Sequence, residues 1–261
     1  MKKVLVAVSM IALAATLSGC KEKVESSSVD PSFEKVKSSG VLVVGHAPIF
    51  PPMVFVDKNN ERVGVDVDLV TEVCSRLGLR LETREIEWAN KEEELNSGNI
   101  DCIWNGMSVD SARARAMNLS DPYLMNRVVF VVKDSSLSHL DSIKGKRIGV
   151  QKASTAQLLL DKSEVGESAK EIVLIRDLIP EIEALDSGTV DAIYVDEVFA
   201  KYWNHSHGMA YTILDEGLYD EFYAVGFRKK DKSLRDTVNS ILNELKRDGM
   251  FVELSVKWFG K

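Results

Sequence analysis

The sequence predicts an α/β protein of two similar lobes, each a mainly parallel β-sheet flanked by helices. First, short apolar runs typical of buried strands alternate along the chain with helical patterns, as they do in proteins with parallel sheets. Second, the chain repeats itself, because residues 95–104 and 185–194 are identical at five of ten positions. Each copy has the pattern of a helix end, a glycine and a buried strand. Two similar lobes account for both observations.

The N-terminal residues predict export. Two lysines precede an apolar run, residues 4–17, that is too short to span the ~30 Å hydrocarbon core as a mature helix but fits a secretory signal peptide. Residues 17–20, Leu-Ser-Gly-Cys, resemble the bacterial lipobox, in which the cysteine is lipidated and becomes the first mature residue. We expect a signal peptide over residues 1–19 and a lipid (palmitate) on Cys20, with a plain signal peptide and an incidental cysteine as the alternative. Residues 20–32, rich in Lys, Glu and Ser, are expected to form a flexible tether.

The folded body begins with a regular succession of elements. Residues 41–44 predict a buried strand, and Asp66 is a candidate cap for a helix that ends at Gly78. Residues 81–86 have an extended pattern. The charged run at residues 91–94 is interpreted as the solvated face of a further helix.

Two cysteines lie in this folded body. Cys74 falls in a predicted helix and Cys102 in a predicted apolar strand. We therefore expect two buried free thiols. Export permits a disulfide between them, and this bond is the alternative.

Composition and missing motifs exclude several classes of function. With 33 Lys+Arg against 40 Asp+Glu the formal net charge is −7, whereas a nucleic-acid-binding protein normally carries a basic face. None of the 16 glycines forms a Gly-x-Gly, and neither a P-loop nor a Gly-x-Ser-x-Gly elbow occurs. The pair His205 and His207 is poor support for a metal site because its spacing is i, i+2. We expect no nucleic-acid partner, no cofactor, no metal and no catalytic residues.

The two repeated strands indicate where a ligand binds. In open α/β sheets, ligands bind beyond the carboxyl ends of the strands. The first repeat continues into residues 105–108, Asn-Gly-Met-Ser, and the second into Asp196 and Glu197. If the lobes face each other, one strand end brings backbone and hydroxyl groups and the other brings a carboxylate.

Two helix starts supply groups that suit an anion. Asp110 or Ser111 is a candidate cap for a short helix that carries Arg113, whose planar guanidinium suits a carboxylate. A solvated arginine is the alternative. Ser154 opens a later helix, whose first N–H groups offer a carboxylate site, although Ser154 also has the pattern of a simple cap.

Eight segments of the body carry recognisable motifs. They are, in order, residues 45–52, 64–69, 88, 106–113, 118–123, 145–151, 190–196 and 257–260. Together they resemble the extracellular solute-binding proteins of family 3, which deliver polar amino acids to ABC transporters. The resemblance covers residues 41–260 and implies a two-lobed, type II periplasmic-binding-protein-like fold with a ligand cleft between the lobes. It further implies a monomer in the periplasm or at the cell surface, anchored to the membrane by its lipid and working with an ABC transporter permease.

The resemblance also implies roles for individual residues. Arg113 corresponds to the arginine that clamps the ligand α-carboxylate, helped by Ser108 and by the backbone N–H of Thr155. Asp196 corresponds to the aspartate that takes the α-ammonium, together with the Gly106 carbonyl and the Ser108 hydroxyl.

Other positions of the resemblance bear on the ligand side chain. Phe50 and Trp88 correspond to aromatic residues that stack over the ligand, and Gln151 to a polar position near it. Ala47 stands where many binders of basic amino acids have an aspartate, and Asn105 is positioned to reshape the pocket. These departures favour a neutral polar or sulfur-containing amino acid and leave a basic one open.

The resemblance divides the chain into lobes. Lobe 1 is expected over residues 33–125 plus 228–261, and lobe 2 over residues 128–222. The chain is expected to cross between them at about residues 125–128 and 219–227. Closure about this hinge would bring both halves of the site onto the ligand.

Two other functions stay open. The same scaffold carries cyclohexadienyl (prephenate/arogenate) dehydratases, which need a cationic cleft for a dianionic substrate, whereas Asp196 suits an ammonium group. The second alternative is a ligand-sensing partner of a receptor.

Overall fold

Two mixed β-sheets divide the protein into two lobes. The computed structural model describes residues 30–217 and 219–260. The strands of the lobe 1 sheet are β1 (Val41–His46), β4 (Arg80–Glu85), β5 (Cys102–Ile103), β6 (Met117–Leu119) and β13 (Gly226–Arg228). The strands of the lobe 2 sheet are β7 (Leu124–Val132), β8 (Arg147–Gln151), β9 (Glu171–Ile175), β10 (Ala192–Asp196), β11 (Thr212–Ile213) and β12 (Tyr219–Tyr223). A short hairpin pairs β2 (Phe55–Val56) with β3 (Arg62–Val63).

Helices pack on both sheets. In lobe 1 they are α1 (Ser32–Ser39), α2 (Val65–Leu77), α3 (Lys91–Ser97), α4 (Ser111–Ala116), α10 (Lys232–Arg247) and α11 (Met250–Phe259), with a 3₁₀ turn at Trp88–Asn90. In lobe 2 they are α5 (Leu140–Ile143), α6 (Thr155–Leu160), α7 (Glu164–Ser168), α8 (Leu178–Asp186) and α9 (Glu197–His207). Among residues 30–217 and 219–260, no helix combines the length and apolar character that crossing a membrane requires.

Each sheet combines parallel and antiparallel strands, where the sequence predicted mainly parallel sheets. The strand order is β4-β1-β5-β13-β6 in lobe 1 and β11-β7-β10-β8-β9 in lobe 2, with β12 also paired to β7. β4, β1 and β5 run parallel, as do β9, β8 and β10, whereas β13 and β7 join these groups antiparallel. The antiparallel strands are those through which the chain passes between the lobes. Neighbouring strands that are parallel need a long crossover connection, usually a helix, whereas strands that connect the lobes directly have none and pair antiparallel.

Two paired strands connect the lobes. After β6 the chain enters lobe 2 along β7, and after β12 it returns to lobe 1 along β13. Residues 124–128 of β7 pair antiparallel with residues 219–223 of β12. The crossings predicted at residues 125–128 and 219–227 fall on this connection, and their action as a hinge stays a prediction.

The N-terminal predictions lie largely outside the described residues. This holds for the signal peptide over residues 1–19, for the lipidated Cys20 and for the tether as far as residue 29. Helix α1 begins at Ser32, and the Asp30 carboxylate accepts a hydrogen bond from the backbone N–H of Ser233 at 2.6 Å. The last three residues of the expected tether are therefore fixed against the start of α10.

The two copies of the internal repeat fold alike. Helix α3 and strand β5 in lobe 1 correspond to α8 and β10 in lobe 2, and a glycine in the left-handed region follows each helix, Gly98 at φ 83° and Gly188 at φ 71°. The repeated aspartate has the same role twice. Asp101 Oδ2 accepts a backbone N–H of β1 at 3.0 Å, and Asp191 Oδ2 accepts one of β8 at 2.9 Å. The prediction of a two-lobed α/β fold is confirmed.

Asp66 is not the cap of α2, contrary to the expectation from sequence. The helix begins at Val65, and its first N–H groups donate to the backbone carbonyls of residues 52–53. Because those carbonyls accept hydrogen bonds from the first N–H groups of the helix, the Asp66 side chain is not needed as a cap and can point inward. It is buried, and its carboxylate accepts hydrogen bonds from the Gly106 N–H at 2.6 Å and the Tyr123 hydroxyl at 2.7 Å. Burial raises the pKa of Asp66 to about 7.

The remaining local predictions for α2 and its neighbours hold. Gly78 follows α2 in the left-handed conformation. Cys74 and Cys102 are buried free thiols, which confirms the expectation. Burial raises the pKa of the Cys74 thiol to about 11 and raises that of the Cys102 thiol well above its usual value, so both are protonated at neutral pH.

Candidate functional site

A cleft between the two sheets collects side chains from both lobes. Residues of both sheets and of the helices that pack on them line it. The structure brings together in this cleft the nine residues that the sequence singled out for ligand binding. They are Phe50, Trp88, Asn105, Gly106, Ser108, Arg113, Gln151, Thr155 and Asp196. The lining also includes Ala47, Ile49, Val128, Ser154, Ala156, Leu178 and Glu221.

Arg113 enters the cleft from the first turn of α4. The Asp110 carboxylate caps this helix by accepting its first N–H groups at 2.7 and 2.9 Å, as one of the two sequence alternatives predicted. The guanidinium is buried, so the solvated alternative is wrong. Its Nη1 donates to the Ser108 carbonyl at 2.8 Å and to Thr155 Oγ1 at 3.0 Å, and the group lies over the Trp88 ring. Arg113 therefore contacts lobe 2 directly, and within the described chain its Nη2 makes no hydrogen bond.

Helix α6 faces Arg113 from lobe 2. Ser154 caps it, since its Oγ accepts the Gln157 N–H at 3.0 Å, as predicted, and the carboxylate site at this helix start stays a prediction. Thr155, the first residue of the helix, supplies the hydroxyl that Arg113 contacts. Both residues are buried where the two lobes meet.

Asp196 ends strand β10 on the opposite side of the cleft. Its Oδ1 accepts hydrogen bonds from Asn126 Nδ2 at 2.8 Å and from the Tyr223 hydroxyl. Enclosure in the cleft raises the pKa of Asp196 well above its usual value, and the neighbouring Glu221 carboxylate raises it further. Asp196 and Arg113 thus bring an acidic and a basic side chain from opposite lobes.

Sequence reasoning missed Glu221, the second carboxylate of the cleft. Glu221 is 3% exposed, and its Oε1 accepts a hydrogen bond from Asn126 Nδ2 at 2.5 Å. In β12, the side chains of Glu221 and Tyr223 are buried while those of their neighbours are exposed. Residues 219–223, Tyr-Asp-Glu-Phe-Tyr, show no alternation of apolar and polar residues, so the local sequence carries no signal that places Glu221 in the cleft.

Two aromatic side chains form the lobe 1 wall. Phe50 and Trp88 are both 5% exposed. The Phe50 and Tyr223 rings pack edge to face, with their centroids 6.3 Å apart. Gly106 lies against this wall at φ 53°, and a Cβ there would lie 2.7 Å from the Phe50 ring. Glycine is therefore required at this point for steric as well as conformational reasons.

Lys91 is a second residue that sequence reasoning placed wrongly. It belongs to the charged run assigned to a solvated helix face, yet it is 5% exposed. Its Nζ lies over the Trp88 ring and donates to the Trp88 carbonyl at 3.2 Å and to the Ala153 carbonyl of lobe 2 at 3.3 Å. Burial and the nearby Arg113 lower the pKa of Lys91 to about 8. The run is partly buried because lobe 2 covers its first residue.

The remaining predicted positions complete the floor of the cleft. Asn105 is 3% exposed, and its Oδ1 has no hydrogen-bond partner in the described part of the chain. Gln151 Nε2 donates to the Arg176 carbonyl at 3.4 Å. Ala47 lines the same cleft, so no carboxylate is present at that position.

The family model for bacterial extracellular solute-binding proteins, family 3, matches residues 42–261. The chain belongs to this family. The resemblance stated from the sequence is thereby confirmed, and the cleft described above is the inter-lobe cleft of a family 3 solute-binding protein.

Individual members of the family are similar along most of the chain. The L-cystine-binding protein TcyA of Bacillus subtilis is 28% identical, over 100% of this chain and 98% of that protein. A solved structure bound to L-arginine is 34% identical, with a TM-score of 0.84 and coverage of 89% of this chain and 96% of that one. A histidine-bound ABC uptake transporter substrate-binding protein from Streptococcus pneumoniae is 31% identical, with a TM-score of 0.83 and coverage of 88% and 96%. These similarities confirm the type II two-lobed fold.

Proposed function

We propose that this protein is an extracytoplasmic binding protein that closes its lobes around a polar amino acid and delivers it to an ABC importer. The observation that carries the proposal is the presence of Arg113 from lobe 1 and Asp196 from lobe 2 in one cleft. A free amino acid has the complementary pair of groups, a carboxylate and an ammonium. Membership of family 3 and the amino-acid ligands named for its relatives support the same conclusion.

In this proposal each lobe supplies a different half of the site. Arg113, Ser108 and the backbone N–H of Thr155 hold the ligand α-carboxylate. Asp196 and the Gly106 carbonyl hold the α-ammonium. Because Arg113 and Thr155 belong to different lobes and bond to each other, the carboxylate site is complete only when the lobes are closed.

The proposed ligand is a neutral polar or sulfur-containing amino acid, with a basic one as the second choice. Ala47 offers no charge to a cationic side chain, while Phe50 and Trp88 offer aromatic surface. Gln151 and Asn105 add polar groups. The cystine-binding relative supports a sulfur-containing ligand, and the arginine-bound structure supports the second choice.

We further propose that the protein acts outside the cytoplasm as a monomer held to the membrane through a lipid on Cys20. The lipobox-like residues 17–20 support the anchor. The permease of an ABC importer is the proposed protein partner, because the closed form differs in shape from the open one and a partner can distinguish them. The roles assigned to the cleft residues are those of binding, without catalysis.

Thermal melting of the purified protein tests the proposed function. The ligands are the twenty amino acids, L-cystine and prephenate, the last of which tests the dehydratase alternative. A ligand at about 1,000 times its Kd stabilises the folded state by about 4 kcal/mol, and each kcal/mol raises the Tm of a chain of this size by about 2–4 °C. We expect one or a few amino acids to raise the Tm by about 10 °C. A shift with prephenate alone, accompanied by its turnover, would contradict the proposal in favour of the enzyme.

A further inference from the structure

A second acidic side chain lies beside Asp196 in the cleft. Glu221 lines the cleft and is almost completely buried. We propose that Glu221 is a ligand-binding residue, and that Glu221 and Asp196 hold the ammonium group of the ligand between two carboxylates. The inference rests on the proposed function, because it concerns the ammonium half of the same site.

One amide group fixes the positions of both carboxylates. Asn126 and Glu221 are direct cross-strand neighbours on β7 and β12. Asn126 Nδ2 donates to Glu221 Oε1 at 2.5 Å and to Asp196 Oδ1 at 2.8 Å. The Tyr223 hydroxyl also donates to Asp196 Oδ1. Among the described residues, these three hydrogen bonds go to one oxygen of each carboxylate, Glu221 Oε1 and Asp196 Oδ1. The two acids therefore converge at a fixed place in the connection between the lobes.

The other oxygen of Glu221 lacks a partner. Glu221 Oε2 is buried and accepts no hydrogen bond from any residue within 30–217 or 219–260. A buried carboxylate oxygen without a donor is costly, and an ammonium group entering the cleft supplies the missing donor. An ammonium has three N–H groups, enough to reach both carboxylates and the Gly106 carbonyl.

Among the described residues, no cationic side chain forms an ion pair with Asp196 or Glu221, although the charge of Arg113 acts on both acids from a distance. Within the described residues, Arg113 is the cationic side chain that lines the cleft, and it is engaged by Asp110 and the Ser108 carbonyl on lobe 1. The other titratable side chains whose charge acts on the pair are Tyr194, Tyr223 and Glu181, none of which is positive. No group of three or more metal-ligating side chains occurs in the described chain, so an organic ammonium fits the pair better than a metal ion.

Enclosure in the cleft raises the pKa of Asp196 well above its usual value, and the neighbouring Glu221 carboxylate raises it further. A bound ammonium favours the ionised form of Asp196, so binding is expected to release a proton. The affinity is therefore full above the raised pKa of Asp196 and falls as the pH falls through it.

Isothermal titration calorimetry tests this inference on the full-length protein with L-cystine and L-arginine. Titrations at about pH 5 and about pH 7, in buffers of different ionisation enthalpy, measure the affinity and the protons released. The variant is Glu221→Gln, whose side-chain carbonyl still accepts the Asn126 bond. The control is Asp220→Asn, which removes the adjacent exposed carboxylate of the same strand.

We expect wild type and Asp220→Asn to bind about tenfold more tightly at about pH 7 than at about pH 5 and to release a proton. Glu221→Gln should bind about tenfold more weakly at about pH 7 and lose most of the pH dependence, with a ligand-free Tm no lower than that of wild type. Wild-type affinity and proton release in Glu221→Gln would overturn the inference alone. Weaker binding together with a lower ligand-free Tm would indicate a structural role and also overturn it. Failure of wild type to bind either amino acid or any other in the melting panel would contradict the proposed function as well.

Discussion

The two copies of the internal repeat share a framework and differ in what they present to the cleft. In both, a helix, a left-handed glycine and a buried strand follow one another, and an aspartate, Asp101 or Asp191, accepts a backbone N–H of the neighbouring strand. Beyond the strand the copies diverge. The lobe 1 copy continues into Gly106, whose N–H is held by the Asp66 carboxylate, whereas the lobe 2 copy ends in the carboxylate of Asp196.

This difference shows how one framework used twice places different side chains on the two sides of one cleft. Lobe 1 adds Arg113 beside its strand end, so its half of the cleft is cationic. Lobe 2 contributes Asp196, and Glu221 on the connecting strand β12 adds a second acid. In the proposed function, a ligand with both charges gains its full set of contacts only when the lobes are together, so we expect ligand binding to favour the closed form.

Removing the positive charge that lobe 1 contributes to the cleft should have the largest effect on ligand affinity. We expect Arg113→Ala to weaken amino-acid binding about a hundredfold or more, because truncating one member of a buried charged pair costs about 2–5 kcal/mol. Isothermal titration calorimetry measures the affinity. Arg115→Ala is the matched control, since Arg115 is exposed on the same helix, and it should bind as wild type does. Tight binding by Arg113→Ala would contradict a carboxylate site at this residue.

Neutralising the acidic half should have the next largest effect. We expect Asp196→Asn to weaken binding about tenfold to a hundredfold, because the amide keeps the shape of the side chain but loses the charge-assisted hydrogen bond to the ammonium. The same titration measures it, with the exposed Asp161→Asn as the control. Both variants should keep the fold, as seen by far-UV circular dichroism. An affinity within about twofold of wild type would argue against an ammonium at Asp196.

The shared framework is tested by removing its repeated aspartate. We expect Asp191→Asn to lower the free energy of unfolding by about 1–2 kcal/mol at neutral pH, since hydrogen bonds to charged groups contribute about that much. The hydrogen bond from the Arg147 side chain holds the pKa of Asp191 below its usual value. Its contribution is therefore present above the ordinary pKa of an aspartate and is lost as the pH falls through the lowered one.

Urea denaturation at about pH 7 and about pH 3 measures this contribution. Wild type should lose more stability between the two pH values than Asp191→Asn does. Asp101→Asn, the equivalent change in lobe 1, should also destabilise the protein at about pH 7. Equal losses on acidification in wild type and Asp191→Asn would mean that the hydrogen bonds of Asp191 do not stabilise lobe 2 as described.

The smallest expected effect concerns the direct contact between the lobes. We expect Lys91→Met to weaken binding about fivefold, because the Lys91 ammonium of lobe 1 donates to the Ala153 carbonyl of lobe 2 and such a bond contributes about 1 kcal/mol. Lys162→Met removes an exposed lysine of lobe 2 and is the control. Titration calorimetry measures both. An unchanged affinity would show that Lys91 does not favour the closed form.

Features that depend on short sequence patterns could be predicted, and those that depend on contacts with another segment of the chain could not. The repeat, the caps Asp110 and Ser154, and the strand end at Asp196 follow from short patterns. Arg113 was open to a solvated interpretation until the resemblance was added, because its burial requires Thr155 from lobe 2.

The wrong predictions for Lys91 and Asp66 have the same physical origin. Lys91 was assigned to solvent because its neighbours are charged, and its burial depends on Ala153, more than sixty positions along the chain. Asp66 was assigned to a cap, but backbone carbonyls of residues 52–53 already serve the helix start. In both cases a distant segment supplies a contact that no local pattern contains.

The most direct test of the central claim compares one bound amino acid with two of its derivatives. Titration calorimetry with the amino acid that stabilises the protein most, with its carboxamide and with its Nα-acetyl derivative, removes one ligand charge at a time. We expect each derivative to bind about a hundredfold more weakly or not at all, because each leaves one half of the cleft without its partner. Binding of either derivative within about threefold of the free amino acid would contradict a site in which the two lobes hold opposite charges of the ligand.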